Sequence, residues 1–140
     1  MATIKLEIIT AERQVFSDDV NTVVVPGVEG ELGILPHHAP LITMLKPGEV
    51  LLRKDGQETY LFVSGGFLEV RPNRIIILAD ACERSEEIDV ERAEAAKHRA
   101  EERLKTHPPE LDNARAQAAL LRSLVRLRVA ERKRRKSQIR

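Results

Sequence analysis

The stretch RIIILADACERSEEIDVERAEAAKHRA, from Arg74 to Ala100, changes period in its middle, and that change decides the fold. It opens on a solid apolar run, Ile75-Ile76-Ile77-Leu78, which reads as a strand buried on both faces. From Ile88 to Thr106 there is no Pro or Gly, and Ala, Glu, Arg and Lys dominate, all good helix formers. Ala93, Ala96, Ala100 and Leu104 recur at spacings of three and four, a narrow apolar stripe on one helix face. Strand grammar therefore ends, and helix grammar begins, near residue 85.

Working upstream, the chain is a series of short strands divided by turn residues. Ile4, Leu6 and Ile8 alternate with Lys5 and Glu7, the pattern of a half-buried strand. Val20 to Val25 is rich in β-branched residues and is closed by Pro26-Gly27. The segments Val50–Lys54 and Thr59–Val63 flank Asp55-Gly56, a dipeptide suited to a tight hairpin turn with positive φ. Ser64-Gly65-Gly66 interrupts the chain before Phe67–Val70, and the stretch from Gly27 to Pro40 reads as a long connection rigidified by prolines. Working downstream, Thr106-His107-Pro108-Pro109 stops the first helix, because a proline pair cannot continue it. A second helix is expected from Leu111 to Lys136, with an apolar stripe at Ala114, Ala118, Leu121 and Val125. The short link predicts an antiparallel pair. The expected fold is thus α+β: an all-β sandwich or flattened barrel over residues 1–85, then a two-helix hairpin over residues 86–140.

Composition narrows the function. With three Phe, one Tyr and no Trp, the core must be aliphatic and few rings are left to stack on bases. The single cysteine, Cys82, cannot form an internal disulfide, which fits a reducing compartment and a plain half-buried role. No segment approaches the run of roughly 20 apolar residues that spans a bilayer, and the basic-then-apolar layout of a signal peptide is missing at the N-terminus. A soluble protein able to dock on a membrane assembly is expected. The net charge of +1 conceals an asymmetry: residues 1–85 carry 8 basic and 12 acidic side chains, whereas residues 111–140 carry 10 and 2. The basic block at the end points to an acidic partner.

An all-β domain followed by a helical hairpin is an uncommon order, and particular motifs narrow it. The run from Pro26-Gly27-Val28-Glu29-Gly30-Glu31-Leu32-Gly33 to Ile34-Leu35-Pro36-His37-His38-Ala39-Pro40 resembles a loop of the epsilon subunits of bacterial F-type ATP synthases. Ser64–Val70 and Leu78-Ala79-Asp80-Ala81 resemble the same family, and the likeness covers essentially the whole chain. It implies a rotor-stalk protein on the cytoplasmic face of the bacterial membrane, peripheral to it and non-catalytic. Its sandwich would touch the gamma subunit and the c-ring, with Glu29, Glu31, Leu35 and His38 in the facing loop. Its hairpin would extend into the catalytic head, where Arg122, Arg126, Arg128, Arg132, Lys133, Arg134 and Arg135 would meet the alpha and beta subunits and block hydrolysis.

Ile88-Asp89-Val90-Glu91-Arg92-Ala93 is similar to the nucleotide motif of the ATP-sensing members. Carried over position by position, the resemblance implies an ATP site made by Glu83, Ile88, Asp89, Arg92, Ala93, Arg99, Arg122 and Arg126. The spacing agrees with such a role: Arg92, Arg99 and Arg103 share one face of the first helix, and Arg122 and Arg126, with Arg115 seven residues before Arg122, share one of the second. Two converging arginine rows can bind a polyphosphate through bidentate hydrogen bonds. Plainer readings coexist with this one. Asp89 also fits the N-cap of the first helix, with Ile88 and Ala93 as a hydrophobic staple. The arginines also fit a solvated face paired with Glu91, Glu94, Glu101 and Glu102.

Other classes fare worse. Gly27, Gly30 and Gly33 do not make a phosphate loop, since Pro36 and Pro40 follow where a helix should open. No metal site is expected at His37-His38, because neighbours on an extended chain point to opposite faces. A nucleic-acid-binding arm at Arg132–Lys136 would sit on an otherwise acidic, ring-poor chain with no base-reading motif. An enzyme would have to rest on His37, His38, Asp80 and Cys82, with no recognised spacing and no oriented base. No Walker lysine loop is present, so any bound ATP would be sensed and not hydrolysed, and magnesium dependence is left open.

Overall fold

The computed structural model describes residues 2–139, with side chains through Arg132. The chain divides into two units, residues 1–83 and 84–140.

In the first unit, apolar alternation and turn chemistry produce ten strands: β1 Ile4–Ile9, β2 Gln14–Val20, β3 Thr22–Gly27, β4 Gly30–Ile34, β5 Leu41–Leu45, β6 Gly48–Lys54, β7 Gln57–Val63, β8 Gly66–Arg71, β9 Arg74–Ala79 and β10 Cys82–Arg84. They join in the order β10-β7-β6-β3-β5-β8-β9-β1-β2, with β4 added to β3. Among β1–β9 neighbours are antiparallel except β1 and β9, which run parallel, Leu6 against Ile75 and Ile8 against Ile77. The sheet curls into a nearly closed sandwich around Leu6, Ile8, Val20, Val23, Val25, Ile34, Val50, Leu61, Leu68, Ile75 and Ile77, all fully buried. The Asp55-Gly56 turn behaves as its chemistry predicts: both residues have positive φ, 52° and 80°, and Lys54 pairs with Gln57. Gly66 is required for a different reason, since a Cβ there would lie 2.1 Å from the Leu78 carbonyl oxygen on β9.

Three expectations are corrected in this unit. The stretch from Gly27 to Pro40 is not one loop: β4 lies within it and pairs with β3 from Val23↔Ile34 to Gly27↔Gly30. The Ile75–Leu78 run is buried on one face only, because antiparallel alternation turns Leu78 outward, where it is 52% exposed. His37 and His38 are not on an extended strand, because His37 has φ 70° in the turn after Pro36.

The second unit opens with a 3-10 turn, Ser85–Glu87, in which the Glu87 carboxylate accepts from the Arg84 N–H at 3.1 Å. Helix α1 then runs Val90–Lys105 and helix α2 Glu110–Ile139. The α1 stripe is as expected, with Ala93 and Ala100 buried and Ala96 and Leu104 half-buried. On α2 the expected stripe is wrong, because Ala114 and Leu121 are exposed. The covered positions are Ala116, Leu120, Ser123, Leu127 and Ala130 on one side, alternating by four and three, with Val125 and Val129 on the opposite side. Leucine, valine and alanine surround α2, so several stripes fit its sequence and spacing alone picks the wrong one.

Candidate functional site

The N-terminus of α1 is where the motif residues gather. Asp89 is the N-cap: its Oδ1 accepts from the Arg92 backbone N–H at 3.0 Å, and its carbonyl oxygen accepts from Ala93 N–H at 3.0 Å. Ile88 and Ala93, one residue before the cap and four after it, are 8% and 4% exposed, the pattern of a hydrophobic staple. The capping reading of Asp89 therefore holds.

The arginines flank the seam between the helices. At roughly 100° per residue, Arg92, Arg99 and Arg103 lie about 85° to one side of the Ala93–Leu104 stripe. Arg115, Arg122 and Arg126 lie about 100° to the like-handed side of the Ala116–Ala130 stripe. In an antiparallel pair, flanks of the same hand fall on the same side of the interface. The helix pair thus carries both arginine rows along one edge. Arg92, Arg99, Arg103 and Arg115 are exposed, while Arg122 and Arg126 are half-buried. Arg128 falls on the other edge of α2 beside Leu121 and Leu124, which are 42% and 40% exposed. Arg132 is half-buried, and Lys133, Arg134 and Arg135 lie outside the residues whose side chains are described. Glu83 belongs to β10 of the first unit and is half-buried.

Of the residues assigned to the facing loop, Glu29 is exposed in the β3–β4 turn and Glu31 is exposed on β4. Leu35 is 57% exposed. His38 is half-buried, its Nδ1 2.7 Å from the carbonyl oxygen of Ala39.

Sequence reading missed a surface. Met44 on β5, Phe67 on β8 and Leu78 on β9 are directly paired neighbours and are 54%, 51% and 52% exposed. Ile42, one position along the same face of β5, is 74% exposed. Contiguous apolar side chains crossing three strands mark a docking surface rather than scattered exposure. The available signal was the unbroken apolar character of runs such as Ile75–Leu78 in a mostly antiparallel sheet, where one face should be polar.

The comparisons with known proteins follow this geometry closely. A family model for the ATP synthase delta/epsilon chain beta-sandwich domain matches residues 3–85. A second, for the delta/epsilon chain long alpha-helix domain, matches residues 86–131. An ATP synthase epsilon chain of Dehalococcoides mccartyi strain BAV1 is 53% identical over 140 residues, covering 99% of this chain and 100% of that one. One from Moorella thermoacetica is 55% identical over 131 residues, covering 93% and 98%. Among solved structures, a chain of the Euglena gracilis mitochondrial ATP synthase, in an OSCP/F1/c-ring assembly, is 25% identical with a TM-score of 0.78. That match covers 88% of this chain and 78% of its counterpart.

Proposed function

The chain belongs to the ATP synthase delta/epsilon family, as an epsilon subunit of the F-type central stalk, and from that premise we propose that its helical unit is an ATP-sensing brake on hydrolysis. No helix among the described residues is long and apolar enough to cross a membrane. The subunit works as a peripheral component on the cytoplasmic face of the bacterial membrane and performs no chemistry of its own.

In this reading the β unit is the fixed anchor. The apolar row of Ile42, Met44, Phe67 and Leu78 seats against the gamma subunit, and the segment bearing Glu29, Glu31, Leu35 and His38 faces the c-ring. The helical unit is the moving part. Closed, it holds ATP with its phosphates along the arginine edge: Arg92 and Arg99 from α1, Arg122 and Arg126 from α2. Asp89, exposed at the N-terminus of α1, accepts from the amino group of the purine, while Ile88 and Ala93 stay buried beneath it as the staple that fixes the helix start. Open, α2 enters the catalytic head, where Arg122, Arg126, Arg128, Arg132, Lys133, Arg134 and Arg135 contact the alpha and beta subunits. A ligand that binds only the closed form stabilises it by about 2.7 kcal/mol at 100 times its dissociation constant. That is enough to switch two states separated by a few kcal/mol. High ATP releases the brake, and depletion engages it.

The observation that carries this reading is the placement of both arginine rows on one edge of the helix pair. Calorimetric titration of ATP into the full chain, beside an Arg122→Ala/Arg126→Ala variant, tests it. One-to-one binding that weakens at least about tenfold in the variant is expected, as for loss of charge-assisted hydrogen bonds to phosphate. Absence of binding at millimolar ATP would replace it with a brake that inhibits without sensing nucleotide.

A further inference from the structure

The link between the two helices carries a backbone conformation that its own sequence disfavours. Thr106 is the C-cap of α1: its N–H donates to the Arg103 and Leu104 carbonyl oxygens, and its hydroxyl donates to Arg103 O at 2.7 Å. The next residue, His107, donates its N–H to the Leu104 carbonyl oxygen at 3.3 Å and has φ +51°. That is the left-handed position that ends many helices, and it is ordinarily filled by glycine because a Cβ there meets the following carbonyl. Here it is filled by an exposed histidine. The residue after it is Pro108, which pushes the preceding residue toward extended conformations. Pro109 does the same to Pro108, while its carbonyl oxygen accepts the first α2 bond, from Asn113 N–H at 2.8 Å.

None of this is needed once the helices part. The prolines forbid one continuous rod, because their rings would clash with the Leu104 and Lys105 carbonyls one turn back. An opened link therefore consists of two helices joined by extended residues. That is the conformation that His107 and Pro108 favour as residues preceding proline.

We propose that the link Thr106–Pro109 is a built-in opening bias: left-handed His107 is a local cost carried by the closed hairpin and released when it opens. The bias sets how much seam packing, or how much ligand, is needed to keep the helices together. It rests on the proposed brake, in which this same hairpin opens. The alanine-rich seam of Ala93, Ala100 and Ala116 buries little area per residue, so a modest bias at the link shifts the balance.

The test is a series at one position, read as the closed-to-open ratio. Spin labels at Glu94 on α1 and Gln117 on α2, both exposed, report a short distance when the hairpin is closed and a long one when it is open. They are measured in the full chain, alone and assembled into the ATP synthase. His107→Gly should raise the closed share roughly fivefold, as relief of a left-handed non-glycine residue requires. His107→Asn should raise it less, because asparagine tolerates this region better than most residues but keeps the Cβ that glycine lacks. His107→Val should lower it, since a β-branched residue is the least tolerant of positive φ. Two populated distances whose ratio is the same in all four proteins would overturn the inference and leave the brake standing. A single short distance in every protein, alone and assembled, would overturn the brake and the inference together.

Discussion

The two units bury different chemistry. In the β unit the covered positions are chiefly isoleucine, leucine and valine, aliphatic bulk drawn from every strand between β1 and β9 into one cluster. In the helical unit, among the described residues, they are Ala93, Ala100, Ala116 and Ala130, with Ser123 among them and only Ile88, Val125 and Val129 of larger size. A fully buried leucine or isoleucine contributes about 1.5–3 kcal/mol, whereas one methyl contributes a fraction of that. The contrast suits the proposed brake, in which the β unit stays folded while the helical unit changes state. Ser123 illustrates the same economy: its hydroxyl donates to the Ala119 carbonyl at 3.0 Å, so it is satisfied within its own helix and demands nothing of α1.

The comparison breaks most directly at its strong end. Leu68 on β8 is fully buried, so Leu68→Ala should lower stability of the β unit by about 2–5 kcal/mol, through lost transfer energy and the cavity left behind. Urea denaturation followed on β-sheet signal reads this directly. A loss well below 1 kcal/mol would mean that the aliphatic core is not what holds the anchor. At the weak end, Ala100→Leu overfills the α1 seam and should cost the hairpin about 1–3 kcal/mol. Hydrogen exchange of the helical amides should accelerate while that of β1 and β9 does not. If both sets accelerate together, the two units fold as one cooperative body and the division of labour drawn here fails.

The parts legible in the sequence are those set by local rules. β1 showed in its alternation, the β6–β7 hairpin in Asp55-Gly56, and the α1 face in Ala93, Ala96, Ala100 and Leu104. The arginine rows were equally visible, because residues four and seven apart share a helix face whatever surrounds them. What failed was global. β4 hid because Gly30 and Gly33 lower the strand signal, and its pairing with β3 supplies what propensity does not. The buried sides of α2 were misread because Leu120, Leu121, Leu124, Val125, Leu127 and Val129 surround the helix, leaving its partner to choose. The Met44–Phe67–Leu78 row could not be assembled before the register was known, although the unbroken Ile75–Leu78 run signalled one of its members, since the three come from different strands and meet only through cross-strand pairing.

The smallest expected effect lies in the β unit, outside its core. β2 and β6 are not neighbours in the sheet, yet Lys54 Nζ lies 2.6 Å from Asp18 Oδ2 and bridges them. The hydrogen bond from Lys54 holds the Asp18 carboxyl below its ordinary value of 3.8, helped by the Asp19 backbone N–H. In turn Asp18 raises the Lys54 ammonium above 10.5. Asp18 therefore contributes stability that is present above pH 3.8 and lost as pH falls through its lowered value. Lys54 contributes stability that is present below pH 10.5 and lost as pH rises through its raised one. Both side chains are 43–50% exposed, so solvent screens the pair and its effect should be small. Lys54→Met should lower the denaturation midpoint slightly and evenly across neutral pH, less in high salt, and the difference should vanish well below pH 3.8. A difference that persists in acid would mean that the lysine acts through something other than its pair with the Asp18 carboxylate. An effect as large as that of Leu68→Ala would show that the barrel is held at its seam by this bridge, and the anchor's stability could no longer be assigned to its core.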